Sequence, residues 1–144
     1  MWEQIAAIFS VGLFQNTIRN ATPVLLAALG GLFTEHAGIM NIGMEGMILM
    51  GAFFAVVFSF MFASASLGVL AAVLVGIAVG LFFALFVVKL KSDEFIIGMT
   101  INTFAGGLTI FMLRSVFGKV GTWTDVGIKG LAPIEIPLLN KLVC

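Results

Sequence analysis

The chain has 144 residues, of which 61% are hydrophobic and only 10% are charged, and its formal net charge is zero. An ordinary soluble domain carries about a quarter charged residues and exposes much of its surface to water, so this composition excludes one. It predicts an all-α fold, a polytopic bundle of transmembrane helices solvated by lipid, and gives no basic surface for nucleic acid.

The first membrane region extends over about residues 5–33, and its pattern fits two arrangements. Thr22 and Pro23 predict a helix start, because threonine caps helices and proline suits the first turn. The apolar residues that follow would then span only ~18 Å, less than the ~30 Å hydrocarbon core. Either 5–33 is one long tilted helix with Arg19 facing protein, or an interfacial helix precedes a short one.

Residues 46–88 form a run of 43 without a formal charge. This length is enough for two membrane helices of ~20 residues each. Small and turn-forming residues cluster at 63–68, so we place helices at about 45–63 and 67–88. A charged loop at 89–94 precedes a third helix at about 95–113, which we expect Arg114 to close.

Glycines and prolines interrupt the helical pattern over 114–144, which we interpret as a loop region of the same single domain, 1–144. The total is about four to five membrane segments. The orientation of the chain in the membrane stays open, because basic residues occur on both sides. One side has Lys89 and Lys91, and the other has Arg114, Lys119 and Lys129.

The segment Gly38–Gly46 is the most informative part of the chain. Asn41 and Glu45 are four residues apart between two apolar stretches, so we expect them to lie one helical turn apart, and three glycines allow close packing or non-helical backbone. Such backbone lies at membrane depth only where protein or a water-filled cavity surrounds it. The segment is a protein-buried turn, a plain interfacial loop, or a site of solute contact.

Two rows of residues recur at four-residue spacing in the later helices. Small residues at this spacing let helix backbones approach closely, and a buried amide in lipid needs a hydrogen-bond partner. Asn102 therefore joins helices or lines a transport path. The candidate polar positions are Asn41, Glu45 and Asn102; the helix-packing row is Gly68, Ala72, Gly76, Gly80 and Ala84; Gly98, Asn102 and Gly106 form the second row.

No catalytic, cofactor or metal site is predicted. The chain has one histidine and one cysteine, so no nucleophile, base and acid can be assembled. Met40, Met44, Met47 and Met50 could suit a soft metal ion, but methionine also fills irregular packing gaps. Since no Gly-Lys-Ser/Thr phosphate loop occurs, any coupled ATP hydrolysis belongs to another chain.

Several motifs resemble one superfamily of bacterial permeases, the ABC-type importers of branched-chain amino acids, ribose-like sugars and nucleosides. They are the Thr22-Pro23 pair, the Gly-Gly-Leu-Phe-Thr-Glu run at 30–35, and Asn41-Ile42-Gly43-Met44-Glu45-Gly46. The nucleoside branch, which works with a basic membrane lipoprotein, is the most similar. The resemblance extends from about Thr17 to Arg114.

The resemblance implies a non-enzymatic, multi-pass subunit of the bacterial plasma membrane, of which this chain is the N-terminal part. Expected partners are membrane lipid, an ABC ATPase subunit, a second permease subunit and an extracytoplasmic solute-binding lipoprotein. The expected solute is a nucleoside, with sugars and branched-chain amino acids as alternatives. A non-transporting assembly or anchoring protein is the rival from another class.

Overall fold

The computed structural model describes residues 11–118, Gly121 and Gly130. Over these residues it is helical: α1 is Val11–His36, α2 is Met44–Phe62, α3 is Ala65–Ala84 and α4 is Glu94–Phe117, with a π-helical turn at Leu85–Lys89 after α3. The predicted all-α fold is confirmed. The chain divides into two compact units, one containing α1 and the other, Gly38–Leu131, containing α2 to α4.

Helix α1 runs without a break through Pro23, so the predicted helix start at Thr22 and Pro23 is wrong. The Thr22 hydroxyl instead donates to the carbonyl of Ile18 at 2.7 Å, inside the helix. The proline removes the N–H that would bind the Arg19 carbonyl four residues earlier, yet the helix continues on both sides of it. Over the described residues the helix is continuous, as in the first alternative for 5–33, but Arg19 is exposed rather than facing protein.

Three helices of the described part are long and apolar enough to cross a membrane, namely α2, α3 with its π turn, and α4. Their bounds lie within a few residues of those expected. The main error is at the end of α4, which continues past Arg114 to Phe117 and stops where Gly118 adopts φ +60. A basic residue in the last turn favours a helix rather than ending it. Except for the two glycines named above, the loop predicted beyond Gly118 lies outside the described residues.

In the second unit, α2 packs against both α3 and α4. The core at one end consists of Phe83, Val87 and Ile101, with Ile39, Met47, Val79 and Ile97 packed around it. The π turn ends with Leu90 N–H donating to the Leu85 carbonyl at 3.1 Å. This wider turn accompanies the burial of Val87 in the core.

The small-residue row of α3 divides into two parts. A Cβ built on Gly68 would lie 2.6 Å from the Ala55 carbonyl oxygen of α2, so the two backbones touch there. A Cβ on Gly76 or Gly80 would meet nothing within 4 Å. Four-residue steps exceed the 3.6-residue turn, so the row rotates by about 160° from Gly68 to Ala84 and cannot stay on one contact face.

Candidate functional site

The glycine-rich segment before α2 forms a compact non-helical turn. Gly38 adopts φ +76, a conformation that side chains disfavour. The Oδ1 atom of Asn41 accepts a hydrogen bond from the backbone N–H of Gly43 at 3.0 Å, which is the bond of an Asx turn. Since α2 begins at Met44, Asn41 lies ahead of the helix. The expectation that Asn41 and Glu45 lie one helical turn apart is therefore wrong.

Asn102 of α4 binds this turn with both ends of its amide. Its Oδ1 atom accepts from the backbone N–H of Gly46 at 2.7 Å, and its Nδ2 atom donates to the carbonyl of Ile42 at 3.1 Å. The Gly46 N–H belongs to the first turn of α2, where N–H groups lack a partner within the helix, and the Ile42 carbonyl lies two residues before the helix begins. One side chain thus satisfies two polar backbone groups in an apolar setting.

The glycines of the turn are needed because α4 lies so close. A Cβ on Gly46 would be 2.9 Å from the Cα of Asn102, and a Cβ on Gly98 would be 2.9 Å from the backbone nitrogen of Gly43. Real Cβ atoms essentially never approach other heavy atoms this closely. Gly43, Gly46 and Gly98 are all buried. Close backbone contact and the Asn102 amide together fix the start of α2 on α4.

Two acidic residues complete the junction from the side of α4. Asp93 caps this helix, its Oδ1 atom accepting from the N–H groups of Phe95 at 2.9 Å and Ile96 at 3.1 Å. Glu94 reaches across to the turn, where its Oε2 atom accepts from the backbone N–H of Met40 at 3.0 Å. Sequence reasoning interpreted 89–94 only as a polar loop, although Asp before an apolar run is a helix-start signal.

Glu45 does not join this network. Its side chain is exposed in the first turn of α2, while Asn41 and Asn102 are half-buried. Over the described residues its carboxylate has no hydrogen-bond partner, so the structure brings together two of the three predicted polar positions.

The four methionines of the row differ in burial, and Met40 is 61% exposed. Met50 is buried in the unit, and the sulfur of Met47 lies 3.7 Å from the Asn41 amide nitrogen. Within the part of the chain that the structure describes, no group of three His, Cys, Asp or Glu side chains could hold a metal ion.

Comparison with known proteins assigns the chain to a protein family. The family model described as the branched-chain amino acid transport system permease component matches residues 13–132. The chain is 35% identical to the guanosine ABC transporter permease protein NupQ of Bacillus subtilis, over 88% of this chain and 43% of that protein. It is 30% identical to the nucleoside ABC transporter permease protein NupC of Lactococcus lactis, over 88% and 43%.

A third relative is the putative glucose ABC transporter permease protein TsgC13 of Haloferax volcanii, 33% identical over 92% of this chain and 38% of that protein. No solved structure matches the chain. The chain spans about two fifths of the length of these relatives. These matches confirm the resemblance to ABC permeases and the location in the cell membrane. The chain therefore belongs to the family of permease components of branched-chain amino acid transport systems.

Proposed function

We propose that this chain forms part of the permease subunit of an ABC importer and carries nucleosides across the bacterial plasma membrane. The observation that supports it best is the similarity to two permeases named for guanosine and nucleosides, together with a family match over residues 13–132. Three helices able to cross a membrane provide the wall of such a path.

The proposed partners are an ABC ATPase subunit, a second permease subunit and an extracytoplasmic solute-binding lipoprotein. In this mechanism the permease opens alternately to each side of the membrane, and the ATPase shifts that equilibrium by binding and hydrolysing ATP. The chain itself supplies no chemistry. Its contribution is to hold the helices that surround the solute.

We propose different roles for the three polar positions. Asn102 holds the start of α2 against α4, because its amide binds Gly46 and Ile42 at 2.7 and 3.1 Å. Asn41 holds the turn itself, through the Gly43 N–H at 3.0 Å. Glu45, exposed on α2, faces another part of the transporter or the solute path.

The test of this function is uptake in cells that lack their own nucleoside importers and express the permease containing this chain with its proposed partners. Labelled guanosine should accumulate, and an ATPase variant that cannot hydrolyse ATP should abolish it. Glu45→Ala and Asn102→Ala should each lower the rate, with Ser115→Ala on the exposed end of α4 as the control. If both variants transport like the control, the assigned roles are wrong.

Sugar import is the second candidate, favoured by the similarity to the putative glucose permease. Accumulation of labelled glucose, but not of guanosine, in the same cells would replace the nucleoside proposal with it. Uptake of none of these solutes or of branched-chain amino acids, despite correct assembly in the membrane, would favour the anchoring alternative instead.

A further inference from the structure

The outward faces of the three helices in the second unit differ in polarity. On α3 and its π turn, every exposed residue from Leu67 to Val88 is apolar. On α2, every exposed residue from Ile48 to Phe62 is apolar as well. Away from the helix ends, and among the described residues of this unit, only α4 exposes polar side chains, at Thr100 and Thr103. Lipid accounts for the first two faces, since hydrocarbon solvates apolar side chains.

Three exposed polar residues of α4, two threonines and Arg114, lie on one side of the helix together with Gly107 and exposed apolar side chains, and we call this side the stripe. Thr100, Thr103, Gly107 and Arg114 are separated by three, four and seven residues, so they share one side of the helix. All four are exposed, whereas the buried residues Gly98, Ile101, Ala105 and Thr109 occupy the opposite side, which packs on the unit. The helix is therefore two-sided, with Asn102 near the packed side.

The two threonines also border a shallow, open groove whose other lining residues, Phe95, Ile96, Met99 and Phe104, all belong to α4 itself. Each hydroxyl donates to the carbonyl four residues earlier, Thr100 to Ile96 at 2.7 Å and Thr103 to Met99 at 2.9 Å. The hydroxyl hydrogen is thus used, and the oxygen lone pairs point outward as acceptors. The groove offers acceptors for O–H and N–H groups beside aromatic rings.

We infer that this stripe of α4 lines the solute path and that Thr100 and Thr103 contact the solute. Ionisable side chains such as Arg114 in membrane helices face the bundle interior or a water-filled cavity rather than lipid, and the two threonines share its side of α4. A nucleoside carries ribose hydroxyls that donate to such acceptors and a flat base that stacks on rings. The identity of the solute as a nucleoside rests on the proposed function. The position of the stripe on α4 does not depend on it.

The sequence pattern singled out Asn102 as a residue that could either join helices or line a path. In the structure both of its amide ends are used by the backbone of the α2 start. The structure therefore assigns the joining role to Asn102, and we assign the lining of the solute path to Thr103 and Thr100, one and two positions away.

The test uses the assembled transporter in membranes, with Cys144 replaced by serine and single cysteines introduced. Thr103→Cys is compared with Leu81→Cys, since Leu81 is 66% exposed on α3. Leu81 precedes Lys89 by eight residues and Thr103 follows Glu94 by nine, so the two lie at similar depth. A charged, membrane-impermeant methanethiosulfonate is applied from both sides.

We expect Thr103→Cys to react at least tenfold faster than Leu81→Cys, and the imported solute to slow that reaction. Thr103→Val, which removes the hydroxyl and keeps the shape, should raise the KM of uptake roughly three- to tenfold with little change in maximal rate. Equal and slow reaction of both cysteines would mean that lipid or another helix covers the stripe, and would overturn the inference.

The outcomes separate this inference from the proposed function. Normal guanosine uptake with an unreactive Thr103→Cys would refute the stripe and leave the nucleoside proposal intact. Fast reaction slowed by glucose, in a transporter that imports glucose and no nucleoside, would refute the nucleoside proposal and support the stripe.

Discussion

Replacing Asn102 with alanine tests the junction between α2 and α4 most directly. The change leaves the Gly46 N–H without its acceptor at 2.7 Å and the Ile42 carbonyl without its donor at 3.1 Å. An unsatisfied buried polar group costs ~1–3 kcal/mol, whereas hydrogen bonds between membrane helices average only ~0.6 kcal/mol. Asn102 is half-buried, so partial hydration relieves some of the cost. We expect Asn102→Ala to lower the free energy of unfolding by about 1–3 kcal/mol.

The measurement is unfolding of the purified permease in mild detergent by titration with sodium dodecyl sulfate, followed by circular dichroism. Ser115→Ala is the matched control, because Ser115 is exposed near the end of the same helix and should change stability by less than about 0.5 kcal/mol. If Asn102→Ala unfolds at the same detergent fraction as Ser115→Ala, the amide does not hold the two helices together.

Three further predictions concern close contacts and caps. Gly46→Ala should destabilise the same preparation by about 1–3 kcal/mol through overpacking, while Gly106→Ala, which meets nothing within 4 Å, should be neutral or stabilising. Gly68→Ala should likewise destabilise and Gly76→Ala should not, because only the first of these two Cβ atoms meets a backbone oxygen; equal thermal midpoints would contradict the packing. Asp93→Ala should cost about 0.5–2 kcal/mol as a lost cap, and Asp93→Asn, which keeps the acceptor, should lose less.

Sequence reasoning located the membrane helices well because charge is so scarce in this chain. A run of 43 residues without charge leaves little choice but two crossings, and the turn at 63–68 follows from small residues. In the structure the break is a single residue in the left-handed region, Ala63 at φ 49, followed by Ser64 in extended conformation. Asn102 was identified as a polar group in need of a partner, and it has two.

The errors arise where a local pattern has two physical outcomes. Proline after threonine is typical of a helix start, yet a threonine that donates to the carbonyl four residues earlier serves equally well inside a helix, as Thr22 does. Asn41 and Glu45 have helical spacing, but the Asx turn at Asn41 delays the helix until Met44. Glycine spacing on α3 marked possible contacts, and only the position of α2 determined that Gly68 is one and Gly76 is not.

These contacts bear on how the helices of a permease of this kind can move. The small residues of α3 suggest sliding along α2, but at Gly68 the separation is too short for any side chain to pass, and the Asn102 amide ties the other end of α2 to α4. Sliding of α2 past either neighbour would break the backbone contact or leave two polar groups unpaired. Gly76 and Gly80, which meet nothing within 4 Å, set no such limit. We therefore expect α2, α3 and α4 to move as one rigid body during transport. The conformational change would then occur where this body meets the rest of the transporter.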